Sequence, residues 1–330
     1  TRKSNYGFEP VNNTAFGFSC LLLATTASNN TAVGYNALAA TTTGASNTAV
    51  GKGALDANTT ASGNTAVGDT ALGANTTAGE NTAMGFAALG NNTTASNNTA
   101  VGYYALLTNT TGSENVAVGK EALYTNNGSN NSAFGVTAMY ANTTGTQNTA
   151  VGQSALKANT TGNYNTAVGR TAMFSHTTGN DSTALGVSAL HTSTTAASNT
   201  AVGYQSLYTV NGDGSSGSNN TAIGRKSGFN LTTGYRNVCL GNDAGARITT
   251  GYQNTAVGNI AMYSTGQTGH NNTVIGYNAQ CPSDSADDQF ILGNSSIANL
   301  RCVQQSIDGL SDARDKTDII DSIYGLDVIN

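Results

Sequence analysis

Charge is what this sequence has least of. Of its 330 residues only 9% are Asp, Glu, Lys or Arg and 38% are apolar, against about 25% and 45–50% in soluble globular domains, so an ordinary globule is excluded as the reference. The 13 Lys and Arg are scattered along a chain of net charge -5, and without a basic stripe no nucleic-acid partner is expected. No apolar run reaches the ~20 residues of a membrane span. The longest candidate, residues 16–24, is interrupted by Gly17 and Ser19, so no membrane span is expected. Trp is absent, Pro occurs twice, and the four Cys lack the Cys-X-X-Cys spacing of a zinc site. Neither a metal nor any other cofactor is expected. The chain opens Thr1-Arg2-Lys3, with no initiator Met and no signal peptide, as a processed or partial product would.

What is abundant is Asn, Thr, Ala and Gly, and their periodicity separates the chain from a disordered polar tract. Asn-Thr-Ala-Val-Gly and its variants recur from Asn13 to Gly293, giving 17 ruler glycines. Of the 16 intervals between them 13 are 17 residues; the others are 16, 21 and 18. The fourth residue before the glycine is Asn in 15 of 17 repeats, with Ser182 and Gln289 the exceptions, and the fourth after it is Leu or Met in 13. Thr-Thr-Gly and Asn-Asn runs between repeats are turn formers. The predicted fold is all-β: a parallel β-solenoid of about 17 coils, each with two short strands and two turns, roughly 80 Å long at ~4.8 Å per coil. Asn before the glycine should form an amide ladder that Gln289 keeps and Ser182 interrupts. The glycine itself should mark a bend with no room for a Cβ.

Side-chain parity extends the reading to assembly. In an extended chain Ala49 and Val50 point to opposite faces, as do Ala54 and Leu55. Small Ala side chains suit a narrow interior, leaving a Val/Leu stripe outside that is larger than a monomer tolerates. The chain should therefore associate along its axis.

The run Asn-Thr-Ala-Val-Gly-X-X-Ala-Leu resembles the head repeats of trimeric bacterial adhesins and the shafts of phage tail fibres and tailspikes. That resemblance implies a left-handed, homotrimeric β-roll. The composition changes near Cys281, after which nine of the 18 acidic residues lie. The predicted organisation is a lead-in over 1–12, a shaft over 13–280, a degenerate last coil and connector over 281–310, and a further domain starting at 311. The segment Ser311-Asp312-Ala313-Arg314-Asp315-Lys316 is similar to the opening of the self-cleaving intramolecular chaperone domain of endosialidases and other phage fibres. The resemblance implies cleavage between Leu310 and Ser311. Ser311 would be the nucleophile and Lys316 the base, with Asp312 and Arg314 in support, since a serine hydroxyl needs a group that takes its proton. With 20 residues of that domain present, this chain alone should not cut.

The function implied is that of a structural and adhesive fibre in a virion, a phage tail-fibre shaft. Its partners would be two further copies of itself, other tail proteins, and a host-cell glycan or envelope protein. A bacterial surface or secreted adhesin fibre is the alternative. No enzyme activity is expected in the shaft, because its scattered acids offer no catalytic pair. The residue after the glycine accepts Lys52 and Asp69, so it faces solvent, yet Tyr35, Phe86, Tyr103 and Tyr204 also sit there. These are candidate receptor contacts, although stacking between coils explains them as well. The four extra residues before Gly224, around Asp213, should bulge from the rod and form a further candidate. Cys20 and Cys239 read as small core residues, and His176, His191 and His270 occupy three different repeat positions.

Overall fold

A computed structural model describes residues 12–213 and 215–298. It is an all-β solenoid with no helix among the described residues. Seventeen three-residue strands, from β1 (Thr14–Phe16) through β12 (Thr200–Val202) and β13 (Thr221–Ile223) to β17 (Phe290–Leu292), form one parallel sheet. Each pairs with its sequence neighbour in identical register, as Thr48, Ala49 and Val50 do with Thr65, Ala66 and Val67. The register holds across the 21-residue interval, where Thr200 faces Thr221, so the extra residues leave the sheet undisturbed.

Each coil carries one strand, not the expected two. The rest of the coil is a chain of tight turns with left-handed residues at three recurring places: two and four residues after the ruler glycine, and five before the next one. In one coil these are Thr70, Leu72 and Glu80, with φ of 55°, 52° and 60°. Bonds to both neighbouring coils hold them: Leu72 N–H donates forward to Ala88 O at 3.0 Å, while Thr70 N–H and Glu80 N–H donate back to Lys52 O at 2.8 Å and Ser62 O at 3.2 Å. The ruler glycine behaves as predicted: at Gly152 (φ 129°) a Cβ would lie 2.7 Å from the carbonyl carbon of Gly169, one coil on.

The left-handed turns also overturn the parity expectation for leucine. Ala54 and Leu55 are both fully buried, because Leu55 has φ 52° and is not in an extended chain. Two Ala and one Leu or Met per coil fill most of the interior. The outward apolar stripe is therefore the strand's last residue alone, without the leucines.

Two polar ladders complete the core. The Asn four before the glycine is buried in the coils after the first and forms the expected amide ladder at many steps, as where Asn47 Nδ2 donates to Asn30 Oδ1 at 3.1 Å, and it adds two bonds to the backbone. Its Oδ1 accepts the backbone N–H of the next Asn (Asn64 N to Asn47 Oδ1, 3.0 Å), and its Nδ2 donates to a carbonyl of the following coil (Asn64 to Ala78 O, 2.9 Å). Ser182 breaks the amide-to-amide run, as expected, but keeps the backbone link: its hydroxyl accepts Asn199 N–H at 3.2 Å. Gln289 keeps the backbone link to Asn272 Oδ1 (3.0 Å), but its longer side chain turns to Asp287 O (2.7 Å). The second ladder, seven residues after the glycine, runs through Asn58, Asn75, Asn92, Asn109, Asn126, Asn142 and Asn159; Asn58 donates to Thr41 Oγ1 and each later amide to the Oδ1 one coil earlier, as Asn92 does to Asn75 at 3.0 Å. The two ladders meet at a shared carbonyl: Ala78 O accepts Asn64 and Asn75, both at 2.9 Å. Fully partnered amides are stable in a dry interior, where an unpartnered one is costly.

Candidate interaction surfaces

Because the strand's middle residue fills the interior, its first and third residues face outward. The third is apolar in every coil, with Val in nine and Phe, Met, Leu or Ile in the rest. Met84, Phe134 and Leu185 remain 45%, 42% and 48% exposed, and the line runs unbroken from Phe16 to Leu292. Thr lies beside it in most coils. A continuous apolar line flanked by hydroxyls is an association surface: it releases water on contact and leaves few charges to desolvate.

Aromatic side chains form separate ladders on other edges. Tyr35, Phe86, Tyr103 and Tyr204 are all exposed on the line after the glycine. Tyr35 stacks on Phe18 at 5.7 Å and Phe86 on Tyr103 at 5.4 Å, while Tyr204 makes no ring contact among the described residues. They do not converge, since Tyr35 lies in the second coil and Tyr204 in the twelfth. Further along, five residues after the glycine, Phe174, His191, Tyr208 and Phe229 stack at 5.0–5.2 Å. Nearer the C-terminus, Tyr235, Tyr252 and His270 stack six before it. Stacked rings at this spacing add roughly 0.5–1.5 kcal/mol per pair.

The insertion bulges from the rod as expected. Asp213, exposed at its tip, accepts from Ser216 Oγ at 2.6 Å, and Ser216 holds its carboxyl below the usual carboxylate range. Shallow recesses flank it, one lined by Thr178, Asn180, Thr195 and Asp213, the other by Ser215, Ser216, Asn219, Tyr235 and Arg236. Leu310, Ser311, Asp312, Arg314 and Lys316 lie outside the described residues.

His176 takes an Asn place in the second ladder. It is fully buried, and its Nε2 donates to Gly179 O at 2.9 Å as the amide would. Its Nδ1 has no partner, and neither have Asn159 Oδ1 one coil before nor Ser193 Oγ one coil after. Burial pushes the imidazole below the usual histidine range, with the carbonyls of Gly179 and Ser193 opposing. Cys239 is buried where other coils have Ala, its thiol pushed up to about 12 by burial, while Cys20 is half-buried at the end of the rod. Cys281, expected outside the regular coils, packs into the core.

Sequence reasoning missed the second Asn ladder and the ring stacks on two of the three repeat positions that carry them. The signal was present for the ladder: Asn recurs seven residues after the glycine in seven successive repeats. Asn-Thr-Thr reads first as a turn, and the turn-forming role hides the buried one. Compared with known proteins, the chain matches no family model and no curated protein.

Proposed function

We propose that the chain is the shaft of a homotrimeric fibre of the kind that attaches a phage tail to a host-cell surface, matured by self-cleavage between Leu310 and Ser311. The observation that carries the reading is the line of 17 apolar residues on the outward face of the sheet. A lone chain would keep it wet over roughly 80 Å. Three copies around a common axis would bury it, and the outer edges would remain for a host glycan or envelope protein. Fixed strand register and low charge suit a rod that transmits position. Cleavage belongs to the domain that Ser311 opens, with Ser311 as nucleophile, Lys316 as base, and Asp312 and Arg314 in support.

Denaturing and native mass spectrometry of the full-length gene product, beside its Ser311→Ala variant, tests both parts. The expected result is a wild-type chain ending at Leu310 and assembled as a trimer, with the variant left whole. An uncut monomer overturns the reading.

A further inference from the structure

Along most of the rod each coil covers the next, which leaves a ligand only ladders to touch. The regularity breaks between β12 and β13, where the four extra residues overhang the following coil. We propose that the recess beneath this overhang, lined by Ser215, Asn219, Tyr235 and Arg236, binds a sugar residue that carries a carboxylate. The inference rests on the surface-attachment reading for its biological partner, though not for its chemistry.

Tyr235 supplies the platform. It heads a stack in which Tyr252 lies 4.9 Å behind it at 5° and His270 a further 4.7 Å at 9°. Asp287 ends the stack, 2.8 Å from His270 Nδ1. On the other side of Tyr235, one coil back, the equivalent position is Ser218, so among the described residues the stack of rings ends at Tyr235. A sugar presents an apolar face of C–H groups to such a ring, and a ring already held by its neighbours loses little freedom on binding.

Arg236 supplies the charge. It is exposed, its guanidinium lies over the Tyr235 ring, 5.8 Å from the ring centre, and no carboxylate among the described residues pairs with it. Arg225, by contrast, is paired with Asp243 at 3.1 Å. An exposed guanidinium held only by the ring can swing aside to the level of a stacked sugar and take its carboxylate by two parallel hydrogen bonds. The exposed Asn219 amide and Ser215 hydroxyl are left for sugar hydroxyls, since Ser216 is occupied by Asp213. The two flanks of the insertion are fixed: Asn211 N–H and Gly217 N–H donate to Thr232 O and Thr233 O, both at 2.9 Å, and Arg236 N–H donates to Ser218 O at 3.1 Å.

The test is calorimetric titration of the full chain, in its native assembly, with oligosaccharides of galacturonate, glucuronate and sialate, each beside its carboxyl-reduced counterpart. At least one acidic sugar should bind with a Kd in about the micromolar to millimolar range. Its reduced counterpart should bind about ten-fold more weakly, and Arg236→Gln should abolish that difference. Tyr235→Leu should remove binding, while Tyr164→Leu, at an exposed ring outside the recess, should leave it unchanged. Should Tyr235→Leu fail to fold, the exposed Arg236 variant decides alone. Binding of none of the acidic sugars, or binding indifferent to carboxyl reduction or to Arg236→Gln, overturns the inference. A correctly cut trimer that ignores acidic sugars sinks the recess and spares the fibre; an uncut monomer does the reverse, and its titration still decides the recess.

Discussion

The coils between residues 55 and 165 and those between residues 224 and 254 fill the same interior by different means. In the first region a Leu or Met sits four after the glycine and an Asn seven after it, as with Leu89 and Asn92, both fully buried. In the second, the leucine position is Gly228 or Gly245 and the asparagine position is Leu231 or Ile248, again fully buried. A Cβ on Gly228 would lie 2.7 Å from Leu207 Cδ2, and one on Gly245 would lie 3.0 Å from Ile248 Cδ1 and against Cys239 Sγ. Bulk has moved from one position to the other, and Cys239 takes up part of the space. What each coil must conserve is the interior volume, since close packing tolerates neither a void nor an excess methylene. The exchange has an electrostatic side. The shared carbonyl receives two amides in the first region; its counterpart Gly234 O receives only Asn220, at 3.0 Å.

The sharpest test of that comparison is to swap the two solutions. Leu231→Asn alone should cost about 3–5 kcal/mol, by opening a void and burying an amide beside apolar neighbours. Gly228→Leu alone should cost about 1–3 kcal/mol through overpacking. The pair together should cost less than their sum by at least about 1 kcal/mol, and strict additivity in denaturant unfolding would refute the idea of exchanged volume. Next in size is Asn92→Ala in the first region. It removes the bonds to Asn75 Oδ1 and Ala95 O and should cost about 2–3 kcal/mol, with faster hydrogen exchange centred on that coil.

The His176 coil gives a smaller, pH-dependent effect. Its imidazole titrates below the usual range in the native chain, so over the interval beneath the normal histidine pKa the unfolded chain binds a proton that the native chain does not. Stability should therefore fall as pH is lowered from about 7.5 to 5, and His176→Asn should remove roughly half or more of that fall while restoring a donor to Asn159 Oδ1. An unchanged pH slope in the variant would assign the dependence elsewhere, first to His191, which burial also holds low. The smallest effect belongs to the outer rings. Phe229→Ala, which removes one stacking contact at the end of its stack, should cost only about 1 kcal/mol and leave the circular dichroism of the sheet intact.

The period, the solenoid and the first amide ladder were legible because each rests on one residue type at a fixed spacing. The ruler glycine was legible for the same reason. What could not be read is the turn path. Its left-handed positions hold Thr70, Leu72 and Glu80, residues that ordinarily avoid such φ values, and no propensity points to them. Bonds between coils sustain that conformation, and they exist only after the coils have stacked. The error over Leu55 follows directly, since parity holds for extended chain alone. The insertion was visible as four surplus residues; that Tyr235 and Arg236 of the next coil lie beneath it required the stacking register.

The shared carbonyl has a mechanical consequence. Most polar bonds of the two ladders run from coil to coil or to that one corner, so an interior coil is gripped from both sides and a terminal coil from one. Tension applied to the chain ends would spool the rod off from its tips, a coil at a time, each freeing about 60 Å of contour for 17 residues. A fibre built this way lengthens under load in steps, dissipating work at its ends while its middle keeps its shape.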